Sequence, residues 1–186
     1  MSNFINRRKI LKELVSNIDE NKLNKILETE EYKLYNAMIT AEGAIKIALE
    51  NCEMGIALTD VILIGYGRIG KPLAKMLTGM NANLTIVEKD KTEIMNAKVL
   101  GYNIFSNCNM KNANIIFNTV EDYSFQETDA IIIDLATQKN QKDIEKIKKI
   151  DDLKTKKTNE PKIVTASALP EKIGARKAAL YISEYL

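Results

Sequence analysis

The chain has 186 residues, 45% of them hydrophobic and none of them Trp, which suits one α/β-sized domain with an extension and a core of Ile, Leu, Val, Ala and Met. Its 27 basic and 25 acidic side chains leave a net charge of +2, so composition gives no electrostatic reason to expect a nucleic acid or membrane partner. The histidine count is zero, which excludes imidazole acid–base catalysis and a histidine-ligated metal within this polypeptide.

Asn6 to Thr29 carries Ile10, Leu11, Leu14, Val15 and Ile18, then Leu23, Ile26 and Leu27, at helical spacing with a break at Asp19-Glu20-Asn21. Arg7, Arg8 and Lys9 precede no continuous apolar run, so the segment does not read as a signal peptide. No stretch of the chain approaches the ~18 apolar residues that a membrane span needs. A short extended piece is predicted at Tyr32 to Met38, followed by a helix from Ala41 to Asn51 with Thr40 as its N-cap and Glu42 in its first turn.

From Asp60 strands and helices alternate. Val61-Ile62-Leu63-Ile64 reads as a fully buried strand, and Gly65 to Gly70 turns into a helix that runs through Leu77. Asn83 to Glu88 is the next strand, with a helix from Lys91 to Leu100 after it. Short strands follow at Tyr102 to Phe105, Asn114 to Asn118 and Ala130 to Leu135. Gln138 to Asn159 reads as a solvated helix and a lysine-rich loop, Lys162 to Ala166 as a last strand, and Glu171 to Tyr185 as a closing helix. Alternation of this kind calls for right-handed crossovers and a parallel sheet. Cys52 and Cys108 lie far apart without a CxxC pattern, so a reduced, cytoplasmic setting is expected.

Gly65-Tyr66-Gly67-Arg68-Ile69-Gly70 is GxGxxG, placed directly after a buried strand and opening a helix. Gly65 permits the tight turn, Gly67 lets a diphosphate approach the backbone, and Gly70 lets the helix pack close to the strand. The free N–H groups and positive dipole end of that helix suit phosphate. Glu88 ends the second strand about 20 residues on, where it can accept hydrogen bonds from the adenosine ribose and repel a 2′-phosphate. That favours NAD over NADP, although Lys89 and Lys91 nearby could accommodate a phosphate. The expected fold is therefore an α/β, Rossmann-type doubly wound parallel sheet over residues 40–186, with an N-terminal helical extension over 1–39.

Three stretches resemble the nucleotide-binding half of the dipicolinate synthase A family. Tyr35-Asn36-Ala37-Met38-Ile39-Thr40-Ala41-Glu42-Gly43-Ala44-Ile45 resembles its N-(A/S)-I-P-T-A-E-G-A-I helix, Ile62 to Leu77 its glycine turn and first helix, and Ile131-Ile132-Ile133-Asp134-Leu135-Ala136 its I-I-D-L-A strand end. A weaker match is Ala168-Leu169-Pro170, where the family has G-L-P-G. The resemblance runs from about Tyr35 to the C-terminus. It implies NAD(P)-dependent oxidation of a dihydrodipicolinate-type intermediate during sporulation, beside a flavoprotein-like second polypeptide. The chain departs from the pattern at Ile39, at Thr137 to Asn140 where a glycine pair is expected, and at Glu171. About 35 residues also stand where the family has a substrate domain. The stretch Gly65 to Asp90 is similar as well to adenosylhomocysteine hydrolase and D-2-hydroxyacid dehydrogenase domains, and to the regulatory nucleotide-binding domains of potassium transporters, none of which accounts for Thr40 to Ile45.

The expected cofactor-binding residues are Gly65, Tyr66, Gly67, Arg68, Ile69, Gly70 and Glu88, with Asn118 and Thr119 at the carboxyl edge of the sheet reaching the nicotinamide ribose. Arg68 either pairs with a phosphate or faces solvent. Glu42 and Asp134 are the catalytic candidates; each has a plain alternative, Glu42 as a helix-start carboxylate and Asp134 as a loop cap. No metal is expected. Two functions follow: an NAD(H)-binding oxidoreductase-like protein completed by a partner chain that supplies substrate binding, or a non-catalytic nucleotide-sensing module. The apolar stripe of the N-terminal helix must be buried, either on the chain's own fold or in a homodimer.

Overall fold

A computed structural model describes residues 7–15, 17–136, 162–166 and 169–185. The segment expected to form a polar helix and lysine-rich loop, Gln138 to Asn159, lies outside the described residues. The chain divides into two compact units, Ala44–Ser167 and a second made of Met1–Gly43 with Ala168–Leu186.

The first unit is a six-stranded sheet of β1 (Asp60–Ile64), β2 (Asn83–Val87), β3 (Ile104–Phe105), β4 (Ile115–Asn118), β5 (Ile131–Asp134) and β6 (Ile163–Thr165). Every pairing is parallel and the spatial order is β3-β2-β1-β4-β5-β6. The chain winds outward from β1 through β2 to β3, then returns to β4 on the other side of β1. The carboxyl end of β1 is therefore the point where winding reverses, and a crevice opens there. In the register, Ile64 lies beside Val87 on one side and Asn118 on the other.

Val61 to Ile64 are all at most 5% exposed, as expected for β-branched and Leu residues in a central parallel strand covered on both faces. Helix α4 (Gly70–Gly79) buries Leu73, Ala74 and Leu77, and α5 (Lys91–Val99) buries Ala97. Asp90 caps α5 by accepting from the Thr92 and Glu93 amides at 2.8 and 2.9 Å. The β3–β4 and β4–β5 connections contain no helix. Met110, Ala113 and Ala130 from those segments pack instead on Ile62, Ile64, Ile116 and Ile132, with half-buried Tyr123 and Phe125 beside them.

In the second unit, the single helix predicted from Asn6 to Thr29 is two: α1 (Arg7–Leu14) and α2 (Glu20–Glu28). Asp19 accepts from the Asn21 and Lys22 amides, so it caps α2 and starts a new helix at the break. The closing segment is also two helices, α6 (Leu169–Ile173) and α7 (Ala175–Ser183). They part at Gly174, where an added Cβ would sit 2.2 Å from Ile39 Cγ2. The apolar stripe of α1 and α2 is covered by the chain itself: Ile10, Leu11, Leu23 and Tyr32 cluster with Ala175, Ala179 and Ile182 of α7. Arg7 donates to the Tyr32 hydroxyl, and Tyr35 stacks on Tyr181 with ring centroids 4.4 Å apart.

The extended piece predicted at Tyr32 to Met38 is helical, part of α3 (Glu30–Asn51). The cap lies earlier than Thr40: Thr29 Oγ1 accepts from the Tyr32 amide at 3.2 Å, and Glu30 and Glu31 occupy the first turn. Thr40 is mid-helix and donates its hydroxyl to Asn36 O at 2.9 Å, so Glu42 is not a first-turn residue either. Gly43 on α3 allows α6 to approach closely; a Cβ there would lie 3.0 Å from both Leu169 Cβ and Ile173 Cδ1.

Candidate functional site

The turn after β1 is built from contacts that only glycine allows. Gly65 has φ +93°, and a Cβ on it would fall 2.2 Å from Thr119 Oγ1 and 2.9 Å from Val120 Cγ2. A Cβ on Gly70 would lie 2.2 Å from the carbonyl oxygen of Gly65, which is backbone and cannot move aside. Gly67 differs: a Cβ there would meet nothing within 4 Å. The turn is thus packed shut at both ends and open in the middle. No side chain caps the N-terminus of α4, leaving first-turn amides facing that opening.

Glu88 stands beside the turn. One carboxylate oxygen accepts from the Tyr66 amide at 2.7 Å, and the other accepts from the Lys89 and Asp90 amides at 2.6 and 2.9 Å. Three backbone donors fix its rotamer, so a ligand sugar would meet a carboxylate already in place. The Tyr66 side chain points into the protein and is 2% exposed, edge-on to Tyr102 at 5.6 Å. Burial, then the neighbouring Tyr102 and Glu93, push its phenol upward from the usual value. Tyr66 offers the site its backbone, with its ring serving the packing. Arg68 is exposed and Ile69 half-buried at the turn. Lys71 turns away from it to Glu93, 2.7 Å off on α5, and that bond holds the Glu93 carboxyl below its ordinary range.

Across β1 lie the ends of β4 and β5. Thr119 bonds Ile64 O through both its amide and its hydroxyl, each at 2.9 Å. Asn118, fully buried, lies beneath rather than at the surface expected of a ribose contact. Its Nδ2 donates to Val120 O and to Asp134 Oδ1, both at 2.9 Å, and its Oδ1 accepts from the Val120 amide at 3.1 Å. Asp134 is 2% exposed and also accepts from the Ala136 amide at 3.1 Å. It is placed to hold structure at the carboxyl edge. Glu42 belongs to the other unit, where its carboxylate is 3.0 Å from Lys177 Nζ of α7 and raises the lysine from its usual value.

The glycine turn and Glu88 come together as the motif predicts. Sequence reasoning missed the Tyr66–Glu88 bond, the Asn118–Asp134 bond and the Lys177 partner of Glu42, since each joins residues 16 to 135 positions apart. Asp90, two residues after Glu88 and before Lys91-Thr92-Glu93, did carry a legible capping signal. The pieces fit a dinucleotide: an open Gly67, uncapped helix amides for a diphosphate, and an anchored carboxylate for a ribose.

The family model of the TrkA-N domain matches residues 61–172. Dipicolinate synthase A of Bacillus subtilis (strain 168) is 24% identical over 128 residues, covering 63% of this chain and 43% of that protein. Two crystal structures of dipicolinate synthase A are similar in fold. That from Bacillus halodurans has a TM-score of 0.68 at 18% identity, covering 91% of this chain and 62% of its own. That from Bacillus subtilis has a TM-score of 0.69 at 20% identity, covering 86% and 54%. The chain thus spans less than two thirds of the length of each of these relatives.

Proposed function

From the premise that this chain belongs to the TrkA-N domain family, we propose that it binds NAD(H) in the crevice at the end of β1 and acts as an oxidoreductase-like protein related to dipicolinate synthase A. The observation that carries this reading is the glycine turn, closed at Gly65 and Gly70, open at Gly67, with the Glu88 carboxylate bonded to its second residue. The amides from Gly65 to Gly70 hold the diphosphate and Glu88 accepts from the adenosine ribose, which disfavours a 2′-phosphate and selects NAD over NADP. Bound nicotinamide supplies hydride acceptance or donation, and the protein supplies position and field.

Substrate binding is assigned to a partner chain. With no histidine in the sequence, proton transfer falls to a carboxylate, lysine, tyrosine or a group on that partner. A homodimer and a cytoplasmic setting belong to the same reading; among the described residues no helix is long and apolar enough to cross a membrane. Calorimetric titration with NAD⁺, NADH, NADP⁺ and NADPH tests the core of the proposal. Micromolar NAD(H) binding, at least tenfold tighter than NADP(H), is expected; no heat with any of the four at millimolar concentration overturns it.

The TrkA-N match also favours a second reading, a nucleotide-sensing module without turnover. NADH production from dihydrodipicolinate, assayed with and without candidate partner chains, separates the two. Turnover in a reconstituted pair supports the oxidoreductase; NAD(H)-dependent change in assembly with no turnover supports the sensor.

A further inference from the structure

The buried pair behind the glycine turn has a job that neither a catalytic nor a ribose-binding role describes. The Asn118 amide clamps Val120 from both sides, donating to its carbonyl and accepting from its N–H. Thr119, held within that clamp, bonds Ile64 O twice and presses its hydroxyl against the α-carbon of Gly65. An amide can lie either way round, and only one way satisfies Val120. Asp134 decides which: its carboxylate accepts the second N–H of Asn118, and a flipped amide would set oxygen against oxygen there. Asp134 is itself fixed by the Ala136 amide and by its place in β5 beside Asn118.

We infer that Asp134 is a positioning residue for the dinucleotide site, orienting the Asn118 amide so that Thr119 and Val120 seat Gly65 in its diphosphate-binding conformation. The inference rests on the NAD(H) reading for its ligand, but its structural half stands on contacts within the chain. It also accounts for an acidic residue at the end of a strand whose preceding three residues are all isoleucine.

The test compares Asp134→Ala with the conservative Asp134→Asn, whose side-chain oxygen can still accept from Asn118. Amide hydrogen exchange is read at Val120 and across β1 and β4, and NAD⁺ affinity is read by calorimetry. Exchange at Val120 should rise tenfold or more in Asp134→Ala with the strands unchanged, while Asp134→Asn stays within about threefold of the parent. NAD⁺ should weaken about tenfold in the alanine variant and recover in the asparagine variant. If the alanine variant does not fold, Asp134→Ser replaces it, its hydroxyl being too short to reach Asn118. Unchanged exchange at Val120, or equal loss in Asp134→Asn, overturns the inference. Failure of the parent protein to bind NAD⁺ or NADH instead overturns the dinucleotide reading, and the exchange measurement still decides the role of Asp134.

Discussion

Gly67 and Gly70 stand three residues apart in one motif, yet their surroundings demand glycine for different reasons. Gly70→Ala drives a methyl into the backbone oxygen of Gly65, so α4 must shift off the strand. A loss of about 2 kcal/mol or more in denaturant unfolding is expected, in the range of overpacked sites. Gly67→Ala meets open space, so stability should stay within about 0.5 kcal/mol while NAD⁺ affinity falls, because the methyl occupies the ligand's room. Titration and unfolding of the same two variants check this; a destabilised Gly67→Ala would show that its openness is misjudged. At Glu88, replacement by Ala removes both the ribose acceptor and the charge facing a 2′-phosphate. The NAD⁺ to NADP⁺ affinity ratio should fall about tenfold or more. These roles were legible in the sequence because they depend on residues adjacent along the chain plus one acid at a fixed spacing. What Asn118 and Asp134 do was not, since it depends on β4–β5 register, which places Asn118 directly beside Asp134.

Helix α3 shows how an element can be misread while its signals lie in plain view. Tyr32 to Met38 has tyrosines and no clean periodicity, yet Thr29-Glu30-Glu31 before it is a capping residue followed by an acidic first turn. Thr29→Ala should cost about 1 kcal/mol, measured by thermal or urea unfolding. The Thr-Ala-Glu-Gly-Ala string, which carried the family resemblance, is explained within its own unit by packing: Ala41 is fully buried and Gly43 lets α6 approach. The strands of the sheet were legible because runs such as Val61 to Ile64 and Ile131 to Ile133 have few other uses. The absence of crossover helices after β3 and β4 was implied by segments too short and Asn-rich to form them. Between α4 and α5 the Lys71–Glu93 bond brings a pH dependence. The Glu93 carboxyl is lowered on folding by its bond to Lys71, so the contribution is present above its unfolded value of 4.5 and is lost as pH falls through the lower folded value. Because Lys71 is 44% exposed, the contribution is at most about 1 kcal/mol after solvent screening. Lys71→Met should flatten that part of the acid limb in unfolding curves taken from pH 6 down to about pH 3.

Across the whole molecule, the proposed dinucleotide apparatus falls between Gly65 and Asp134, inside a single compact unit. Ligand binding adds stability to whatever unfolds together with its site, by about 2.7 kcal/mol when free ligand is a hundred times its dissociation constant. That free energy corresponds to roughly 100-fold slower exchange of amides that open only with the unit. Saturating NAD⁺ should therefore slow exchange strongly in β1 and β4, whose residues flank the turn, and much less in α1 and α2, whose core is closed by α7. Hydrogen-exchange mass spectrometry with and without NAD⁺ reads both sets of peptides in one experiment. A gain shared equally by β1 and α1 would mean that the helical unit opens only when the sheet does, so that anything tightening the glycine turn also steadies the helices that carry Glu42 and Lys177. A gain confined to the sheet would leave that helical surface free to order on a different signal, such as the docking of a partner chain.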